Sequence, residues 1–74
     1  MNNHPGVITF VDEGSERVEQ ASEVPESIRF ATNRDGQLVP VVRVVAVHAG
    51  DQRTIREYGT DGALLRSTVQ VKRA

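Results

Sequence analysis

Seventy-four residues without a cysteine, at a net charge of −1, amount to one small domain. A chain of this length buries only about 60% of its unfolded surface, and neither a disulfide nor a thiolate zinc site can supplement so small a core. No apolar run approaches the roughly 18 residues of a membrane span, and the N-terminus lacks a basic-then-apolar leader pattern, so the expected setting is soluble and cytoplasmic.

In chain order, residues 1–6, with Asn2, Asn3, His4, Pro5 and Gly6, read as a frayed terminus ahead of a single β-rich domain over residues 7–74. Val7 to Val11 reads as a short strand, and Asp12-Glu13-Gly14-Ser15 as a turn. Glu16 to Val24 has two readings. It is either the return strand of a hairpin or a short helix opening at Ser15, with Val18, Ala21 and Val24 on one face. Its Glu, Gln, Ala and Ser are poor strand formers and favour the helix or an irregular loop. Pro25 ends the segment, because the residue before a proline avoids the helical region.

Ser27 to Thr32 alternates cleanly, with Ile28 and Phe30 on one side and Arg29 and Ala31 on the other. This predicts a strand, and Asn33-Arg34-Asp35-Gly36 predicts a tight turn after it. Leu38 to His48 is the densest β-branched run in the chain. It does not alternate: Val39, Val41, Val45 and Val47 fall on one face, and Leu38, Val42, Val44 and Ala46 on the other. Two apolar faces imply either burial on both sides or a bulge that shifts the phase midway. Pro40 belongs at a strand start, an edge or a bulge. Arg43 reads as a charge that discourages edge-to-edge aggregation.

Residues 49–52 form the next turn. Arg53 to Tyr58 returns as a mostly polar strand, with Ile55 on one side and Tyr58 on the other. Gly59-Thr60-Asp61-Gly62 is a second turn signal, and the stretch from Tyr58 to Leu64 resembles the turn of YD-type β-hairpin repeats, which implies a hairpin here. Ala63 to Lys72 alternates. Leu65, Ser67, Val69 and Val71 share the face expected to be buried, and Leu64, Arg66, Thr68, Gln70 and Lys72 the face expected to be wet. The sum is a mostly β fold, a small antiparallel meander or a five-stranded small barrel, with one short helix near residues 15–24.

The inventory for catalysis is thin. No serine lies in a nucleophile-elbow motif, and the glycines form no phosphate loop. His48 and Asp51 lie three residues apart across a turn, but one pair is too few ligands for a metal. Asp12, Glu13, Glu16 and Glu19 lack the pattern of a calcium loop and read as a solvated acidic face. The expectation is therefore a protein that is not an enzyme and holds no metal or cofactor.

The chain is acidic through Gly36, at −4, and basic from Gln37, at +3. That split and the two-faced valine strand predict a structural or protein-interaction module. It is expected to bind a second copy or another protein through Val42, Val44, Val45 and Val47. The alternative is a small nucleic-acid-binding barrel, with Arg56, Tyr58, Arg66 and Lys72 on a basic hairpin face. Membrane binding is not expected.

Overall fold

In the computed structural model, which describes residues 6–71, the chain begins with a hairpin. Strand β1, Val7–Asp12, turns at Glu13 and Gly14 into β2, Ser15–Gln20. Asp12 pairs with Ser15, so the loop has two residues, and both take positive φ, 47° and 82°. That is the loop whose twist matches the twist of paired strands, and Gly14 supplies the freedom it needs. The turn explains why residues 15–20 form a strand where composition favoured a helix or loop. β2 is an edge strand with one neighbour, and a tight hairpin presents it to β1 in register. Tertiary pairing overrides weak local preference. Arg17 adds an ion pair to Glu19, and its guanidinium lies 4.6 Å from the centre of the Phe10 ring.

A 3-10 turn, Ala21–Glu23, follows, and Val24 is extended ahead of Pro25. Pro25 then precedes one turn of helix, α1, Glu26–Arg29. Only Phe30–Thr32 remains as β3. The strand expected from Ser27 is thus half as long. Its first residues complete a helical turn, in which the Ile28 N–H donates to the Pro25 carbonyl at 3.0 Å. Arg29 ties the two turns together, its Nε donating to the Val24 carbonyl at 2.6 Å.

β3 pairs with the start of β4, Leu38–Ala49, which then pairs with β5, Gln52–Gly59, and β5 with β6, Leu64–Val71. The turns at residues 33–37 and 59–63 are the same loop. In each, the first residue donates its N–H to the fifth carbonyl and accepts from the fourth N–H, across 2.8 to 3.1 Å. The fourth residue is a glycine at φ 82° in both, Gly36 and Gly62. A type I turn closed by one left-handed residue has this form.

The sheet runs β2-β1-β4-β5-β6, with β3 set off the path against β4. The path is linear, so β2 and β6 form its edges. One pairing departs from the meander: β1 lies parallel to β4, with Phe10 opposite Val44 and Val11 opposite Val45. The connection from β2 to β3 crosses one face of this sheet, and its apolar residues seal the core. Ile8, Ala31, Val41, Val44 and Ala46 are buried from the strands, and Ala21 and Val24 from the connection. Phe10, Ile28, Ile55 and Leu65 pack around them.

Two bulges set the faces. In β4 the register slips between Val41 and Arg43, so Val42 is the extra residue. Val41 is fully buried and Val44 is core, while Val42, Arg43 and Val45 line one surface on the other side. The valine run looks two-faced because its phase changes at Val42. In β6 the register slips between the pairs Glu57–Arg66 and Tyr58–Leu64, which makes Leu65 the extra residue. Leu65 packs on the core beside Gly59, where its Cδ1 lies 3.3 Å from the position a Cβ would occupy. Beyond that bulge the two faces are exchanged. Val69 and Val71 stand on the side away from the core, 58% and 53% exposed.

Candidate interaction face of the sheet

Register assigns every strand residue to one of two faces. Glu57, opposite Val44, belongs to the core side. On the other side stand Val18 from β2, Val7 and Val11 from β1, and Val42, Arg43, Val45 and Val47 from β4. Arg56 and Tyr58 from β5, and Leu64, Val69 and Val71 from β6, complete that face. Among the described residues no helix or loop crosses this side. Among the described residues seven large apolar side chains are more than 40% exposed, and six of them, all but Leu38, lie on this face of the main sheet. Singly exposed apolar residues are ordinary, but six on one face of a sheet are not.

The bulge shapes the middle of the face. Val42, Arg43 and Thr60 line two adjoining shallow depressions. One, of about 440 Å³, also takes in Val45 and Tyr58; the other, of about 430 Å³, takes in Val7 and Thr9. Arg43 pairs directly with Tyr58, and Arg56 with Val45. Among the described residues neither arginine has an acidic partner.

Of the valines expected to bind a partner, Val42, Val45 and Val47 stand on this face. Val44 does not: it is part of the chain's own core. Of the basic set, Arg56 and Tyr58 stand together here, while Arg66 lies on the opposite side, against Glu57. Lys72 and His4 lie outside the described residues. Arg43, Val7, Val11, Val18, Leu64 and Val69 join the face without having been assigned to it from sequence. Val7, Val11 and Val18 take this side through the pairing of β1 with β2 and β4, Leu64 through its pairing with Tyr58, and Arg43 and Val69 through the two bulges; alternation along the sequence locates none of these pairings.

Arg66 makes a two-pronged pair with Glu57. Its Nε donates to Glu57 Oε2 at 2.6 Å and its Nη2 to Oε1 at 2.5 Å. Glu57 is buried, and its hydrogen bonds first, with its charge in support, hold the Arg66 guanidinium above its ordinary value against the opposing effect of burial. This is a fork on the core side of the sheet, with Glu57 buried and the arginine side chain still 41% exposed.

Of the remaining concave places, one of about 290 Å³ is lined by Phe10, Ile28, Val44 and Ile55 among others, and two lie at turns. A crevice of about 650 Å³ lies between the two alike turns, lined by Asn33, Asp35, Thr60 and Asp61 among others. The Oδ1 atoms of Asn33 and Asp61 there accept from backbone N–H groups, so they serve the turns. A third depression, of about 380 Å³, includes His48 and Asp51. The hydrogen bond of His48 goes elsewhere, from Nε2 to Asp12 Oδ1 at 2.8 Å across the β1–β4 pair. Among the described residues no three acidic, histidine or cysteine side chains form a metal-holding group. Nor is any helix among them long and apolar enough to cross a membrane.

No protein-family model, curated protein or solved structure matches the chain.

Proposed function

We propose that this chain is a non-catalytic interaction module that self-associates through the uncovered face of its sheet. The observation that carries the reading is the six exposed apolar side chains on one side of a five-stranded path. Five strands at about 4.8 Å spacing span roughly 24 Å, and eight residues at about 3.3 Å run roughly 26 Å. That footprint, on the order of 600 Å² before side-chain relief is added, approaches the ~800 Å² per partner of a standard interface. A domain with so small a core gains from burying more apolar surface, and two-fold pairs are the commonest way to do so.

The test is solution mass by light scattering, with melting measured alongside. Val45→Glu places a carboxylate at the centre of the face and is expected to give a monomer that still melts cooperatively. Val44→Glu places one in the core and is expected to unfold the chain. A Val45→Glu protein with the wild-type dimer mass sinks the proposal.

A second reading rests on the Arg43–Tyr58 pair with Arg56 beside it, a cationic and aromatic spot suited to a nucleic-acid strand. It would use the same face, so the two readings compete for one surface.

A further inference from the structure

One row of the uncovered face crosses four strands in direct register: Glu16, Val11, Val45 and Arg56. It reads acid, apolar, apolar, base. Glu16 and Arg56 are both exposed, and among the described residues neither has a partner of opposite charge.

We infer that the occupant of this face is a second copy, related by a two-fold axis that runs along the strands between β1 and β4 and sets Glu16 of each copy against Arg56 of the other. The inference rests on the self-association reading and adds its register. About this axis Val11 meets Val45, completing the row with apolar contact between two ion pairs. The row beside it, Val18, Thr9, Arg43 and Tyr58, maps Val18 onto Tyr58 and Thr9 onto Arg43. There the apolar side chain meets the aromatic ring, and a hydroxyl faces the guanidinium.

The competing axes do worse on charge. An axis along β4 itself sets Arg56 against Val11 and Glu16 against Ser67, which leaves both charges unpaired in the interface. An axis running across the strands along the row sets Arg56 against Arg56 and Glu16 against Glu16, and like charges face to face disfavour the pairing. Facing sheets pack about 10 Å apart with strands some 30° off parallel. Glu16 and Arg56 sit about one and a half strand spacings, roughly 7 Å, from the chosen axis. A 30° rotation displaces them by only about 4 Å there, within the reach of an arginine side chain. In this register four strands overlap and β6 overhangs them, so Leu64, Val69 and Val71, three of the six exposed apolar side chains, lie beyond the overlap.

The experiment measures the dimer dissociation constant of the full chain by sedimentation, with melting curves to confirm folding. Glu16→Arg alone and Arg56→Glu alone each bring like charges together, and each is expected to weaken the dimer about tenfold or more. The combined swap, Glu16→Arg with Arg56→Glu, is expected to restore it to within about threefold. If either single reversal fails to fold, Glu16→Gln and Arg56→Gln replace the reversals, each expected to weaken the dimer less. Dissociation unchanged by the single reversals, while Val45→Glu still gives a monomer, overturns the register and leaves self-association standing. A folded double swap that is no tighter than the single variants also overturns the register. A wild-type chain that is monomeric at every concentration overturns self-association and this register with it.

Discussion

Arg66 shows how far a residue's role depends on one unit of strand phase. Strict alternation along residues 63–72 places it outward, as a cation for a ligand. The bulge at Leu65 turns it beneath the sheet, where its fork closes on Glu57, which is 4% exposed. Removing one side of such a pair strands the other. Arg66→Ala leaves a buried carboxylate without its two donors and is expected to cost about 2–3 kcal/mol, below the fully buried case because the arginine is half-exposed. In a domain this small that lowers the melting temperature by roughly 10–20 °C. Replacing both partners, Glu57→Leu with Arg66→Met, removes the stranded charge and is expected to melt within several degrees of wild type, on the order of 1 kcal/mol. A double variant less stable than Arg66→Ala would show that the fork contributes more than its own desolvation costs. The arginine's raised pKa gives stability that is complete below its ordinary value and lost only as pH rises through the folded one. The arginine side of the pair therefore adds no pH dependence near neutrality.

At the scale of elements, turns were more legible than phase. Asn33-Arg34-Asp35-Gly36 and Gly59-Thr60-Asp61-Gly62 announce their loops by residue type, because a left-handed position selects glycine, and both loops form as read. The β1–β2 turn carried the same signal in Glu13-Gly14, but the poor strand formers after it outweighed that signal. A hairpin supplies pairing that composition does not show. The non-alternating valine run signals the bulge at Val42 as one of two readings without fixing its position, and the bulge at Leu65 leaves no mark, since any side chain can be the extra one. Residues beyond a bulge change face, so Val45 and Val47 part from Val41, Val44 joins it in the core, and Arg66, Val69 and Val71 exchange sides, while Arg56 and Tyr58 lie on β5, which carries no extra residue. The phase shift predicts an unusual deletion pattern. Removing Val42 restores simple alternation and keeps Val41 and Val44 in the core, so that variant is expected to fold with reduced stability. Removing Val45 rotates either Ala46 and His48 or the first half of β4 to the wrong face, and is expected to unfold the chain. Circular dichroism melts of the two deletions decide this, and equal melting would mean that the bulge does not set the faces.

For the whole molecule, the decisive feature is a sheet with one covered and one bare side. The connection from β2 to β3 brings Ala21, Val24 and Ile28 to a single face, and among the described residues no second connection covers the other. Two kinds of partner are proposed for the bare face on different grounds. A second copy would use its apolar residues and the Glu16 and Arg56 charges, and a nucleic-acid strand would use Arg43, Arg56 and Tyr58. They exclude each other, because Arg56 and Tyr58 lie inside the overlap of the proposed dimer. A strand that bound there would displace the second copy, so added oligonucleotide would lower the protein's own association as it bound. Two arginine–phosphate contacts also fix a salt response, a slope of about −1.4 in log affinity against log salt for a single strand. Self-association predicts neither effect. Titrating a labelled single strand into the chain at about 50 mM salt, where phosphate contacts are strongest, is expected to leave its sedimentation unchanged. Binding with that slope, weakened by Arg43→Ala and accompanied by loss of the dimer, would assign the bare face to nucleic acid instead.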